Sequence, residues 1–325
     1  MDLFQNSSSA KAKRPEEVFH ISTSSKMSNF SRRLSKGGRA GRSHSDHELD
    51  DDFKSRHKVL GTIGSGAFGT VSLIQYRRKG SVKPENAAMK VASLRSMDDK
   101  SKQQAKVEVA HMAELKHPNI IGYYESFILN SELFIVMEYA NGGSLDGVIT
   151  KRKKEGTRIP VEKIRRWFTE MLLAVGFVHS HQKMHRDLKT ANIFLHKDHV
   201  KLGDFGLARA MEGDECAQTQ AGTMYYMAPE LLEGSYSYPA DVWACGVVLY
   251  ELCTLRRPFP AKNAMQLVMK IMQNNPDPIT KEECDDIELC KIIQELLVLK
   301  PNERPDIKNI MKKKWIQHEL EWILR

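Results

Sequence analysis

Two aspartates and an asparagine, Asp187, Asn192 and Asp204, lie close enough along the chain to share one site. Asp187 and Asn192 belong to His185-Arg186-Asp187-Leu188-Lys189-Thr190-Ala191-Asn192, and Asp204 opens Asp204-Phe205-Gly206. Their oxygens suit Mg²⁺, a hard cation that favours carboxylates, amides and phosphates. Upstream stand a glycine-rich turn, Gly64-Ser65-Gly66-Ala67-Phe68-Gly69-Thr70-Val71, and a lysine closing the apolar run Ala87-Ala88-Met89-Lys90. Phosphoryl transfer needs these parts, because its catalysis is positioning and charge neutralisation. Asp187 would accept or orient the proton of a hydroxyl, and Asn192 and Asp204 would ligate the metal. Lys90, held by Glu108 on the helix that follows, would be aimed at phosphates.

The glycine turn by itself is open to other readings: a plain hairpin turn, or a dinucleotide-binding loop. The latter wants a helix after the glycines and an acid some twenty residues on. Here a β-branched run follows and Lys90 occupies that place, so the turn reads as a hairpin lid over phosphates whose glycines let backbone N–H groups approach oxygen.

These residues need a scaffold. Val59–Ile63, Val71–Ile74 and Ala87–Val91 read as strands, Ser101–Leu115 as a helix, and Ile120–Ser126 and Leu133–Tyr139 as further strands. After Asn141-Gly142-Gly143 the pattern turns helical, with Val161–His179, Asp241–Thr254, Ala264–Gln273 and Ile287–Val298. A strand-rich part followed by a helix-rich part predicts an α+β chain of two lobes meeting near residue 140. The expected divisions are a basic Ser-rich disordered tail over 1–52, a small lobe over 53–140, a large lobe over 141–316 and a short extension over 317–325.

The chain has 325 residues and a net charge of +8. Residues 1–45 carry 9 Lys or Arg against 3 Asp or Glu, and the other 280 are nearly balanced with 40 against 38. The charge is therefore a property of the tail, and a nucleic-acid reading is thin because Phe4, Phe19 and Phe30 are the tail's aromatics. Five cysteines without a CxxC pair argue against a disulfide framework and a zinc knuckle. The longest apolar stretch, Val242–Leu252, is interrupted by Glu251 and is shorter than a membrane span.

In this order and spacing, the glycine turn, Lys90, the HRDLxxxN string, DFG and Ala228-Pro229-Glu230 resemble the eukaryotic protein kinases from about Lys58 to about Trp315. The resemblance implies the bilobal kinase fold, ATP and Mg²⁺. Asp187, Lys189, Lys90 and Glu108 would form the catalytic set, and Asn192 and Asp204 would hold the metal. The residues from Ile63 through Gly64, Ser65, Gly66, Ala67, Phe68, Gly69 and Thr70 to Val71 would cover the nucleotide. Met137 would be the gatekeeper, Glu138 and Ala140 would pair with adenine through their backbone, and Val71, Ala88 and Phe194 would sandwich the ring. Position 144 is Ser, where some kinases place an acid on the ribose. Lys189 and Thr223 match the Ser/Thr kinases. Glu230 with Arg304 resembles a buried ion pair, Asp241 a brace under the catalytic loop, and His185 a packed residue bonded to backbone.

Strings such as His117-Pro118-Asn119-Ile120-Ile121-Gly122-Tyr123-Tyr124 and Gly222-Thr223-Met224-Tyr225-Tyr226-Met227-Ala228-Pro229-Glu230 are similar to the NIMA-related kinases, with departures at Met224 and Ala228. That likeness implies regulation by phosphorylation of Thr219 in the activation loop, with Arg186 requiring an anionic partner. Tyr123 falls where some relatives point a tyrosine into the site, and an ordinary core tyrosine is an equal reading. The implied partners are proteins bearing Ser or Thr and an upstream kinase or activating partner, with no specific nucleic acid. The chain is expected as a monomer or transient dimer in the cytoplasm, at a centrosome, cilium or microtubule, or in the nucleus. It would match a short member of the family or a piece of a longer one. A scaffold of the same fold without turnover is the competing class, and it expects a lesion in the catalytic set, which is intact.

Overall fold

The computed structural model describes residues 20–21, 52–66, 69–95, 97–204, 222–232, 234 and 237–324. The small lobe is a six-stranded sheet with one long helix. Its strands are β1 (His20–Ile21), β2 (His57–Gly66), β3 (Gly69–Tyr76), β4 (Glu85–Ser93), β5 (Tyr123–Leu129) and β6 (Glu132–Glu138), in the order β1-β5-β6-β4-β3-β2. β2 to β6 pair antiparallel, and the two-residue β1 lies parallel to β5. Apart from β1 and residue 52, the predicted tail over 1–52 lies outside the described residues.

Local chemistry accounts for these elements. β4 is central in the sheet, so it buries Ala87, Ala88, Met89 and Lys90 in succession, as a strand covered on both faces does. The β5–β6 turn has Asn130 and Ser131 at φ 53° and 59°, the doubly positive pair that matches the twist of a two-residue hairpin. Helix α1 (Asp99–Glu114) starts at Asp98, whose side chain accepts the Ser101 N–H at 2.8 Å, satisfying one orphan donor of the first turn. It buries Ala105, Glu108, Val109, Ala110 and Met112, the face a helix presents at three- and four-residue spacing.

One predicted strand is displaced. The sheet takes Tyr123–Leu129 rather than Ile120–Ser126, because Ile120 bridges Leu202 and the Ile121 N–H donates to the Leu202 carbonyl at 2.9 Å.

The chain crosses at 138–144 into the large lobe: α2 (Leu145–Glu155), α3 (Val161–Ser180), β7 (Ile193–His196), β8 (His199–Leu202), α4 (Pro229–Leu232), α5 (Tyr238–Thr254), α6 (Ala264–Met272), α7 (Ile287–Leu296), α8 (Ile307–Met311) and α9 (Lys314–Ile323). Ser144 caps α2, accepting from Gly147 N, and Gly156 ends it in the left-handed conformation, the usual way a helix stops. α5 lies at the centre: every residue from Ala240 to Thr254 is buried. The β7–β8 hairpin faces both lobes. Ser144 bridges Phe194, the Leu195 N–H donates to Gly143, and Ile120 bridges Leu202. Among the described residues no helix is long and apolar enough to cross a membrane.

Candidate active site

The loop after α3 carries the polar centre, and its geometry rests on Asp241. This carboxylate, buried on α5, accepts the backbone N–H of His185 at 2.9 Å and of Arg186 at 3.0 Å, and the His179 Nε2–H at 2.9 Å. Arg186 sits at φ 68°, a conformation a non-glycine residue holds only when its surroundings over-determine it. The bond from Asp241 supplies that constraint. Burial works against the charge on Asp241, but His179 and the loop hold it below the usual carboxylate range. His185 is fully buried, bonded through Nε2 to the Gly203 carbonyl at 2.9 Å and through Nδ1 to the Asp187 N–H at 3.3 Å. Burial pushes its pKa down. Both ring nitrogens are committed to backbone, which fits a packed residue and not a proton carrier.

Beyond this brace, Asp187, Lys189, Asn192 and Thr223 meet. Asp187 Oδ2 accepts from Asn192 Nδ2 at 2.8 Å and lies 2.8 Å from Lys189 Nζ. Lys189 also donates to Thr223 Oγ1 at 3.0 Å. The other oxygen, Asp187 Oδ1, is buried and has no hydrogen-bond partner among the described residues. A buried carboxylate oxygen left free is costly, and here it forms an acceptor beside an ammonium. Asn192 spends its amide nitrogen on Asp187 O and Oδ2, so its side-chain oxygen is the part left for a cation.

Lys90 and Glu108 depart from expectation. The predicted Lys90–Glu108 pair is not made. Lys90 Nζ lies 2.5 Å from Asp204 Oδ1. Glu108 instead faces Arg186 Nη1 at 3.6 Å and His111 Nδ1 at 3.9 Å, and accepts from Gln104 at 3.0 Å. The physical reason is exchange of partners: the placement of α1 turns Glu108 onto the catalytic loop, so the buried ammonium takes Asp204. Burial disfavours the charge on Asp204, and Lys90 more than offsets it, keeping the group below the usual range. Glu108 is likewise held low against burial, by His111 and Arg186.

The nucleotide-facing candidates sit on β2, β3, β4, the end of β6, the crossover and β7. Gly69 closes the β2–β3 turn at φ 120°, where a Cβ would meet the Val91 carbonyl oxygen at 1.9 Å. Only glycine fits there. Ile63, Ser65 and Thr70 are exposed, Gly64, Val71 and Phe194 half-buried and Ala88 buried. Gly66 ends β2, while Ala67 and Phe68 lie outside the described residues. Met137 lies in β6, paired with Ala88 of β4, Glu138 ends that strand and Ala140 follows in the crossover. The Glu138 carboxylate is taken by Lys201 Nζ at 2.8 Å and Gly122 N at 2.9 Å, which fixes the segment to β8. Ser144, read as a ribose position, is the helix cap. Tyr123 packs on the main core, and its hydroxyl pairs with Ser126 Oγ at 2.8 Å. Burial raises its pKa to about 12. Thr219 lies outside the described residues.

The expected anchor is present: Arg304 pairs with Glu230 through two bonds at 2.6 and 2.7 Å and also donates to Val298, Leu299 and Pro239 carbonyls. Sequence reasoning missed one network. Tyr226 donates to buried Glu251 on α5 at 2.5 Å, and the Thr190 hydroxyl lies 2.8 Å from the Tyr226 oxygen and 3.3 Å from the Glu251 carboxylate. It ties the catalytic loop to the turn holding Thr223. The acid interrupting the apolar block Val242–Leu252 was its signal.

Residues 57–316 match the family of the protein kinase domain. Over 268 residues the chain is 39% identical to the serine/threonine-protein kinase Nek1 of Mus musculus, covering 82% of this chain and 22% of that protein. It is 38% identical over 267 residues to Nek5 of Homo sapiens (81% and 37%) and 41% identical over 266 residues to Nek2 of Homo sapiens (79% and 58%). The chain thus spans from about a fifth to three-fifths of the length of these relatives. The resemblance to NIMA-related kinases is borne out.

Proposed function

Because the chain belongs to the protein kinase family, we propose that it is an ATP- and Mg²⁺-dependent protein serine/threonine kinase. The observation that carries this reading is the Asp187 carboxylate, with Oδ2 fixed by Asn192 and Lys189 and Oδ1 buried and free of partners among the described residues. An oxygen so placed can take the proton of a Ser or Thr hydroxyl, or turn that hydroxyl for in-line attack. Lys189, 2.8 Å away, brings positive charge where the transferred phosphoryl group gathers negative charge.

Asn192 Oδ1 and the Asp204 carboxylate are hard oxygen donors that fit Mg²⁺. Bound there, the ion supplies neutralisation of phosphate charge. The backbone of the Gly64–Gly69 turn would cover the phosphates, Glu138 O and Ala140 N would take the adenine edge, and Val71, Ala88 and Phe194 would hold its faces. Lys90 is committed to Asp204 and Glu108 to Arg186. Turnover on this reading requires α1 to rotate so that Glu108 meets Lys90. An anion that competes for Arg186 would release it, and phosphorylated Thr219 is the proposed one, placed there by an upstream kinase or by the chain itself. A cytoplasmic or cytoskeletal address is part of the same proposal, on the strength of the family likeness.

The test is incorporation of labelled phosphate into a generic protein substrate. Activity should be lost in Lys90→Met and Asp187→Ala, and undiminished labelling in Asp187→Ala would sink the proposal.

A further inference from the structure

Helix α1 carries Glu108, yet little apolar surface holds it in place. Of its 16 residues it buries Ala105, Glu108, Val109, Ala110 and Met112, and two alanines, a valine and a methionine give a thin grip on the sheet. Its polar contacts therefore decide where it stands. Glu108 faces Arg186 at 3.6 Å, and Glu114, the last residue of the helix, is paired with Lys183 Nζ. Six residues at a rise of about 1.5 Å set these two carboxylates roughly 9 Å apart along the helix axis.

Both cations stand on one short loop. Gln182 takes φ 57° after α3, its N–H donates to His179 O at 3.0 Å, and the Lys183 N–H donates to Val178 O at 3.2 Å. The turn thereby fixes the point from which the Lys183 side chain leaves. Three residues on, Arg186 is braced by Asp241. The Lys183 side chain is 19% exposed, so its pairing with Glu114 is screened less than that of a fully exposed pair.

The chain just after α1 is also fastened to the large lobe. Asn119 Nδ2 donates to Val200 O at 3.0 Å and its carbonyl accepts from Leu202 N at 2.8 Å, while the His117 ring lies 5.0 Å from that of Phe177 on α3. A helix rooted at one end moves least there. Glu114 stands beside the root, so a swing of about 20° displaces Glu108 by roughly 3 Å and Glu114 hardly at all.

We propose that Lys183 is a positioning residue for phosphoryl transfer: paired with Glu114, it holds the foot of α1 as the pivot about which Glu108 turns from Arg186 to Lys90. This rests on the reading of the chain as a kinase whose α1 must move. A pair kept through the movement defines where Glu108 arrives. Without it the helix reaches Lys90 in more than one placement, and the productive one is less populated. Lys183 acts through Glu108 and has no part in binding the protein substrate.

The experiment compares the full chain with Lys183→Met, Lys183→Arg and the exchanged pair Glu114→Lys with Lys183→Glu. Transfer of labelled phosphate to a generic protein substrate is followed at saturating ATP, after activation by phosphorylation. Lys183→Met is expected to lower kcat about two- to fivefold, the range of one partly shielded ion pair, with KM for the protein substrate unchanged. Lys183→Arg and the exchanged pair should each recover the rate. An unchanged kcat overturns the proposal, and so does a rise, which would make the pair a brake on α1. Amide hydrogen exchange over residues 108–114 reads the pivot without turnover: it should quicken in Lys183→Met and not in Lys183→Arg. Should the unaltered chain transfer no phosphate, the kinase reading fails by itself and exchange at α1 still decides. Equal exchange in Lys183→Met and the unaltered chain overturns the pivot.

Discussion

The carboxylate of Glu108 lies 3.6 Å from the guanidinium of Arg186, while the ammonium of Lys90 is 2.5 Å from Asp204. Each member of the expected strand-to-helix pair is thus held by a residue of the other lobe. Arg186 is the position at which a phosphate on the activation loop would compete with Glu108, since Arg binds phosphate as readily as carboxylate. Phosphorylation at Thr219 is therefore expected to raise kcat by about tenfold or more, a gain of ~1.4 kcal/mol in transition-state stabilisation. Arg186→Ala should abolish the response. Comparison of phosphorylated and phosphatase-treated chain checks this, and a Thr219→Ala protein with full activity refutes it.

Asp241 receives two backbone N–H groups and an imidazole on two oxygens. An asparagine offers one acceptor oxygen and sets an NH₂ against an N–H. Asp241→Asn is expected to lower kcat by roughly ten- to a hundredfold, because the loop loses the contact that holds its geometry, with KM for ATP little changed. Steady-state kinetics would show it; an unchanged kcat would remove Asp241 from its bracing role.

The Glu230–Arg304 pair is buried, with the Arg304 side chain fully covered. Glu230→Gln leaves that charge without a counterion, a loss of about 3 kcal/mol. At roughly 2–4 °C per kcal/mol for a domain of this size, Tm should fall by about 6–12 °C. Calorimetry is the measurement, and a fall of less than about 2 °C would contradict the assignment.

His117 Nδ1 accepts the Asn119 N–H at 3.1 Å, and burial, with Lys201 nearby, holds its pKa down to about 4. Unfolded, the same ring titrates near 6.5. Between those values the unfolded chain binds a proton that the folded chain refuses, so stability falls as pH drops from about 6.5 to about 4. The loss is at most about 3 kcal/mol, reduced by solvent screening at this partly exposed site. His185, lowered by burial, acts in the same direction. Urea midpoints at pH 7 and pH 5 should differ, and His117→Asn should narrow the gap. Equal midpoints in the unaltered chain would dispose of the argument.

The chemistry of the site was legible because it is local. His185 to Asn192 and the glycine turn are short strings whose types carry their roles, and the central strand β4 declares itself by Ala87-Ala88-Met89 and Val91-Ala92 on either side of Lys90. What escaped depended on distance. Spacing shows which acids Lys90 might reach, but the choice between Glu108 and Asp204 is made by where α1 rests on the sheet. Helix α2 reads as Leu-Asp-Gly-Val-Ile-Thr-Lys-Arg-Lys-Lys-Glu, with buried residues only at Leu145 and Ile149, so it shows little amphipathic period; the Ser144 cap and docking on the loop at Thr190 hold it. The β7 and β8 strands have four residues each, and their turn uses Lys197 and Asp198 at φ 51° and 68° rather than glycine. Its strain is met by Lys163, Arg166 and Trp167, which bond Asp198 from α3, and no residue adjacent in sequence announces that support.

That hairpin is stitched to two segments of chain: through β8 to Ile120 and Ile121, which lead into β5 of the small lobe, and through β7 to Gly142, Gly143 and Ser144 of the crossover. Proteolytic nicking within 141–143 would therefore cut the covalent link without freeing either half. The fragments would remain associated through main-chain hydrogen bonds, and two separately expressed pieces divided at this point would carry the means to find each other.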